Sequence, residues 1–506
     1  METKKRDVVP TVLAARRVST PLIAIETSDQ LALAPRVFEA VNGDAPKFTW
    51  DLIRGIAAVG EKAATFLAEI GEDRVLATER DPIELLKLAM EMKPKSLVVM
   101  YNAQMFLDSP PVKQAVANLR DPFCGDKRTL LMLGTSFQMP AELGDVMLLD
   151  DPLPNDDELG GILTRLYKDT LEREPEPELL KGAVDAGRGL SAFNAEQVYA
   201  MSLTKEGLDV EASWERKRAQ VNKTKGLKFV RGGPTFDDLG GLDSFKGYIE
   251  RYMAGPKRPG CIVFLDEVEK ATAGAASDTS GVSQDFMGTM LAWMENNLHN
   301  GLLAVGAPGT GKTAGGMAIG ATYGLPTVVL DVGGLKGQYV GNSEQALRDA
   351  LKIIDSIAGD AGAFIFATCN KETALPPEFK RRFRAGEWFF DLPTAEERRE
   401  IWRIQMSRYG LDASAVGEPL MDDEWTGAEI RNSCDTAYSL RCTLKEAAQY
   451  VVPITKSAPD IVAGLRKAAT GRWLATNYAG HYRGPDAEKI ATTSAEKPRR
   501  SVSLKD

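Results

Sequence analysis

The sequence predicts an α/β chain built from successive domains with largely parallel sheets, and three observations predict it. Short continuous apolar runs of strand length alternate with helix-length segments, the pattern of a buried parallel sheet covered by helices. A glycine-rich octapeptide, Gly306-Ala307-Pro308-Gly309-Thr310-Gly311-Lys312-Thr313, separates one such run from a helix-permissive segment. A further run, Cys261 to Leu265, closes in two acids, Asp266 and Glu267. At 506 residues the chain exceeds a single hydrophobic core, so two or three domains are expected.

Composition narrows the classes. Apolar content of 43% and charged content of 26% are those of an ordinary globular protein. A net charge of -9 argues against a general nucleic-acid binder, leaving only a local basic patch open. Five cysteines without paired spacing and only two histidines argue against a structural zinc site and for a reducing compartment. No apolar stretch reaches membrane-spanning length, and the basic start lacks a secretory apolar region. The cytosol is the expected setting.

In chain order, residues 1–18 read as a flexible lead-in. Leu22 to Ile25 is a buried strand running into Glu26-Thr27-Ser28-Asp29, where Ser28 or Asp29 caps a helix through Phe38. Pro82 fits the first turn of another helix. Ser96–Tyr101, Thr129–Leu133 and Val146–Leu149 are further strands, which completes an α/β domain over 19–155. This domain offers no glycine cradle and no lysine at its first strand, and the strand at Val98 ends in Tyr101-Asn102, not an acidic pair, so nucleotide hydrolysis is not expected of it. Residues 156–229 read as a helical lid ending in a basic linker, Arg216 to Lys228.

The second half carries the chemistry. The octapeptide follows Leu302-Leu303-Ala304-Val305, so it is a Walker A phosphate loop in the setting it requires: strand, glycine turn, helix. Glycines bring the backbone close to phosphate, and successive N–H groups face the anion at the helix start. Lys312 supplies positive charge to the β- and γ-phosphates, and Thr313 is placed to hold Mg²⁺. Asp266 and Glu267 form the Walker B pattern: Asp266 toward Mg²⁺ through water, Glu267 toward the attacking water. Adjacent residues can divide these tasks because strand side chains alternate faces and the following turn redirects the second. Ala363 to Thr368 is another strand, ending in Cys369-Asn370, where Asn370 is placed to hold the lytic water or contact the γ-phosphate. Glu387 to Leu392 is a last strand, and helices follow.

Together PTFDDLGGLD, GAPGTGKT, VFLDEVEK, ATCN, PPEFKRRFR and WTGAEI resemble an AAA+ ATPase of the classical clade. The nearest resemblance is to a cyanobacterial and plastid-type group with a degenerate AAA-like domain before an active one. That resemblance implies a three-layer P-loop NTPase sandwich with a helical lid, ATP and Mg²⁺ as ligands, and a homo-oligomeric ring, usually a hexamer. It makes Asn370 sensor 1 and places an arginine finger at Arg382, with Arg381 beside it, reaching the nucleotide of the next subunit. It places the sensor 2 region at Gly427 and Ala428, and a polypeptide-gripping pore loop at Tyr339-Val340-Gly341. The finger motif is shortened here to Lys380-Arg381-Arg382-Phe383, which leaves open which arginine reaches across.

One departure is large. In the family, Walker A and the pore loop precede Walker B; here the Walker B block, Gly260 to Asn300, precedes the Walker A block, Gly301 to Gly359. The family sheet order is 5-1-4-3-2. The exchanged chain can still visit those places, because each altered crossover spans about one further strand spacing, roughly 4.8 Å. Lys312 and Asp266 are therefore expected to face one nucleotide. The ATPase core is expected over 230–395, its lid over 396–482 and a disordered tail over 483–506. The expected function is Mg²⁺-dependent ATP hydrolysis that remodels or threads a protein partner. A regulatory switch without threading, and a nucleotide-bound assembly protein with negligible turnover, are the alternatives.

Overall fold

The computed structural model describes residues 7–41, 43–272, 282–296, 299–335, 342–411 and 422–484. The chain divides into two compact units, residues 1–217 and 218–506. The pore-loop positions Tyr339, Val340 and Gly341, and the tail from residue 485, lie outside the described residues.

The first unit holds a six-stranded sheet of β1 (Leu22–Glu26), β2 (Lys47–Asp51), β3 (Gly55–Val59), β4 (Leu97–Met100), β5 (Thr129–Gly134) and β6 (Met147–Asp150), in the order β3-β2-β4-β5-β1-β6. All neighbours are parallel except the β2–β3 hairpin. Alternation sends Leu22 and Ala24 to one face, with Phe48, Trp50 and Phe123. Ile23 and Ile25 go to the other, with Leu33 and Val37. Asp29 Oδ1 accepts from Ala32 N at 3.1 Å and caps the helix Gln30–Ala40.

Three features of this unit depart from the sequence expectation. The lead-in contains a helix, Val8–Arg17, capped by Asp7. Its Val8, Val12 and Ala15 lie at helical spacing and pack against the second sheet face, with Val12 wholly buried. The β2–β3 hairpin was absent from the strand reading. Its turn is short and Gly55 sits at φ +65°, while Trp50 is locked from outside the hairpin by its Nε1 donating to Thr78 O at 2.8 Å. The basic linker is largely ordered. The helix Val210–Val221 buries Lys217, whose Nζ donates to Asp185 O at 2.9 Å and lies 4.5 Å over the Trp214 ring. A lysine that pairs with a carbonyl and an aromatic face reads, by charge alone, as solvated linker.

The second unit holds a seven-stranded sheet. Its strands are β7 (Leu227–Val230), β8 (Cys261–Leu265), β9 (Asn300–Gly306), β10 (Thr327–Leu330), β11 (Ala363–Cys369), β12 (Glu387–Phe390) and β13 (Leu474–Ala475). Their order is β13-β12-β9-β11-β8-β10-β7. The five inner strands read last strand, Walker A, Asn370 strand, Walker B, edge strand, so the exchanged chain rebuilds the 5-1-4-3-2 sheet. β11 lies between the two motif strands, pairing Phe366 with Phe264 on one side and with Leu302 on the other. The core above is aromatic: Phe245, Phe264, Phe366, Trp388 and Phe390 are all buried. Gly260 shows how tightly the exchanged junction closes, since a Cβ there would meet Ala358 O at 2.2 Å.

Two strands extend that core. β7, from the expected linker, pairs antiparallel with β10. β13 arrives after the lid helices Ala395–Tyr409, Gly427–Leu440, Leu444–Ala448, Ile454–Ser457 and Pro459–Ala469, and pairs parallel with β12. Residues 474–475, expected within the lid, therefore rejoin the sheet. No helix among the described residues is long and apolar enough to cross a membrane.

Candidate nucleotide site

The phosphate loop leaves β9 where only glycine fits: a Cβ on Gly306 would meet Phe390 O at 2.3 Å. Gly309 and Gly311 turn the chain at φ +86° and +91°, conformations costly for residues with a Cβ. The helix Lys312–Tyr323 starts at Gly311 with no side-chain cap, so its first N–H groups are presented to the loop. Lys312 Nζ donates to Gly306 O at 2.8 Å and Ala307 O at 2.7 Å, while Thr310 Oγ1 donates to Ala307 O at 2.9 Å. Pro308 lines the same cavity. Burial pushes the Lys312 ammonium down to about 8, against the pull of Glu269 and then of Cys369, Asp266 and Glu267.

The acids come to meet it. Thr313 Oγ1 lies 3.3 Å from Asp266 Oδ1, so the two motifs that are exchanged in the chain adjoin in space. Thr368, on β11 between them, donates its hydroxyl to Asp266 Oδ1 at 2.6 Å and accepts from Glu267 N at 2.8 Å. Glu267 takes φ +48°, a left-handed turn just beyond β8. That carboxylate accepts from Asn370 Nδ2 at 3.1 Å and pairs with Lys270. Asn370 is itself fixed, its N–H donating to Glu269 Oε1 at 3.0 Å. Asp266, Glu267, Lys312, Thr313 and Asn370 thus line one cavity of about 610 Å³.

The donor set suits Mg²⁺ in the way that ion is usually held beside a nucleotide: one hydroxyl, one carboxylate, and the remaining positions left to phosphate and water. No group of three or more His, Cys, Asp or Glu side chains that could cage a metal occurs among the described residues. Thr313 and Asp266 are the residues that would hold it.

The lid closes the other wall. Thr426 caps the helix Gly427–Leu440 in a reciprocal box with Glu429, and Ala428 N donates to Gly309 O at 3.3 Å. Gly427 and Ala428 line the cavity with Ile401, Gln405 and Arg408 from the first lid helix. That helix grips the segment just before the helix Asp243–Ala254, Glu400 accepting from Gly241 N at 2.8 Å and Glu397 from Leu242 N at 3.2 Å. Arg382 does not reach this cavity. It is half-buried and donates to Glu295 Oε2 at 3.0 Å, while Arg381 beside it is exposed.

Four contributors escaped the motif reading: Thr368, Glu269, Gln405 and Asn477. Thr368 carried a signal, a hydroxyl closing an otherwise apolar strand, but its two partners depend on the register with β8. Replacing Thr368 by valine leaves the Glu267 N–H without its acceptor and takes from Asp266 Oδ1 the shorter of its two hydrogen bonds. It is expected to cost about 1–3 kcal/mol, read as a lower urea midpoint for the full chain; an unchanged midpoint would show the bridge to be idle.

Comparison with known proteins finds AAA ATPase sequences similar to both units. Residues 11–150 match the family described as SpoVK-like AAA ATPase, N-terminal domain. Residues 302–367 match the ATPase family associated with various cellular activities (AAA). The second match begins within β9 and ends within β11, leaving out the Walker B strand at 261–265, as expected if that strand is displaced in the chain. The chain is 24% identical to an uncharacterised AAA domain-containing protein, ycf46, of Trieres chinensis, over 70% of this chain and 75% of the relative. It is 23% identical to the protein of the same description from Pyropia yezoensis, over 83% of this chain and 88% of the relative. It is also 24% identical to the ATP-dependent zinc metalloprotease FtsH 1 of Salinibacter ruber, over 34% of this chain and 32% of that protein.

Proposed function

We propose that this member of the AAA ATPase family hydrolyses ATP with Mg²⁺ in a homo-oligomeric ring and uses the cycle to remodel a protein partner in the cytosol. The observation that carries the reading is the convergence of Lys312, Thr313, Asp266, Glu267 and Asn370 on one cavity despite their exchanged order. Lys312 and the N–H groups of the loop bind and orient the triphosphate. Bound at Thr313 and Asp266, Mg²⁺ would supply charge neutralisation on the phosphate oxygens. Glu267, steadied by Asn370, takes the proton of the attacking water, and Asn370 orients that water. An arginine from the neighbouring subunit, Arg382 or Arg381, stabilises the charge that develops. Gly427 and Ala428 place the lid on the loop, so lid movement follows nucleotide state. The grip on polypeptide falls to Tyr339, Val340 and Gly341. The test is ATP turnover of the parent chain against Glu267→Gln.

Lys312 gives a second, independent test of nucleotide binding. Its ordinary value is 10.5 and burial brings it to about 8, so between those values the unfolded chain holds a proton that the folded chain has lost. Stability then rises with pH across that window, and the cost of burying the charge is present in full below it. Phosphate beside Lys312 restores the charge. Binding of ATP near pH 8.5 is therefore expected to take up a proton, read by calorimetry in buffers of different ionisation enthalpy. Uptake that persists unchanged in Lys312→Met would assign the proton to another group.

A further inference from the structure

The two sheets are built to one plan and differ at one edge. The order β3-β2-β4-β5-β1-β6 of the first unit corresponds place for place to β7-β10-β8-β11-β9-β12 of the second. In both, the pair at one end is antiparallel, β3 with β2 and β7 with β10, and the other pairs are parallel. The second sheet then adds a seventh strand, β13, parallel to β12. Beyond β6 the first sheet has no strand among the described residues. The path of the chain explains the difference. After β12 the lid helices bring it back to lay Leu474 and Ala475 on the sheet. After β6 the helices Asp156–Leu171, Pro177–Gly187, Ala192–Ser202 and Val210–Val221 hand it on to β7 instead.

The edge at β6 is equipped to take a strand. Asp151 N donates to Glu26 O at 2.9 Å, and successive residues of a parallel strand bond alternately to one side and the other. Met147 and Leu149 therefore face β1, while Leu148 turns its N–H and C=O outward. Pairing sets Leu148 opposite Ala24 and Met147 opposite Ile23, so each continues one core face of the sheet. Both side chains are exposed, Met147 at 37% and Leu148 at 47%. An apolar edge left open is a template for pairing.

Charge says what would pair. From Thr129 to Thr164 the sequence holds seven acids and no lysine, arginine or histidine. Asp145 and Asp150 bracket the exposed residues of β6. Arg120 pairs with Asp145, Arg188 with Asp156 and Arg36 with Glu158, which leaves the excess acidic. A second copy of the same edge meets its own sign and is repelled, whereas a basic segment is attracted. We propose that β6 takes a short extended segment of a basic protein partner as a parallel strand, in the place that β13 fills in the second unit. Main-chain hydrogen bonds to Leu148 hold it, its apolar residues cover Met147 and Leu148, and its basic flanks answer the acids. This gives chemistry to the protein partner of the reading above and rests on that reading for its use; the pairing itself needs no ATP turnover.

The test measures binding to the full chain of a short peptide with a valine core and lysine flanks, and of the same core with glutamate flanks, with ATP turnover alongside. The parent is expected to bind the lysine peptide, less tightly as salt rises, and the glutamate peptide about tenfold more weakly still. Leu148→Pro removes the outward N–H without breaking the ladder to β1. Leu148→Lys keeps every main-chain group and sets a positive charge on the edge. Each is expected to weaken the lysine peptide about tenfold, near the worth of one or two hydrogen bonds, with turnover unchanged. No binding by the parent, equal binding of the two peptides, or undiminished binding by Leu148→Lys overturns the proposal. Self-association of the parent that Leu148→Lys abolishes would give the edge to a second copy and overturn it as well. Binding with these losses in a chain that turns over no ATP would support the edge while sinking the ATPase reading.

Discussion

Glu267→Gln is expected to slow ATP hydrolysis about 10²–10⁴-fold, the usual worth of a positioned general base, while ATP stays bound. The substitution is nearly isosteric and removes the negative charge, and with it the capacity to take a proton. Asn370 Nδ2 can still donate to the remaining oxygen at the place where it now meets Glu267 Oε1 at 3.1 Å. The ion pair with Lys270 is lost, but Lys270 is 69% and Glu267 37% exposed at their side chains, so little stability goes with it. Binding should survive because the cradle of Gly306 to Lys312 is untouched. Turnover and retained nucleotide are measured on the same preparation. If parent and variant are equally inactive with nucleotide bound, the chain is an assembly protein that uses ATP as structure. If both turn over at one rate, another residue is the base.

What makes this expectation available before any coordinates is that the chemistry sits in short, local patterns. A strand, a glycine turn and a helix must lie together to make a phosphate loop, so Gly306 to Thr313 declares its own geometry. Asp266 and Glu267 do the same, and the turn expected after their strand is the left-handed one at Glu267. The exchange of blocks was visible as order, and its resolution followed from strand spacing. What stayed hidden depends on pairing across long separations. Leu474-Ala475 is too short to announce a strand and becomes one only because β12 has a free edge. Lys228 and Phe229 look like linker until β10 offers them a partner. Val8 and Val12 form a helical stripe of little meaning until a sheet face needs covering. Thr368 illustrates the limit most sharply: its role is set by register with a strand about a hundred residues earlier in the chain.

Arg382→Ala is expected to reduce turnover by about 10³-fold or more, the range for an arginine that completes a phosphoryl-transfer site from a neighbour. Arg381→Ala should cost far less. The two are adjacent, and charge alone does not separate them. Geometry does: the Arg382 guanidinium is half-buried and already aimed by Glu295 at 3.0 Å, whereas Arg381 is exposed. A guanidinium held by one carboxylate is oriented before it meets phosphate and loses less entropy on engaging it. Neither arginine lines the cavity of its own chain, so Arg382→Ala should bind ATP like the parent when measured in the isolated chain. The proposed sharing of a site between subunits then makes a stronger demand. Lys312→Ala lacks the cradle but keeps the finger; Arg382→Ala keeps the cradle but lacks the finger. Each alone is expected to be nearly inactive, and mixed assemblies should regain part of the parent rate if one subunit's Arg382 completes the other's site, as proposed. No recovery on mixing, with co-assembly confirmed, would confine Arg382 to its own chain. A loss in Arg381→Ala as large as in Arg382→Ala would mean that the shortened motif sends the earlier arginine across.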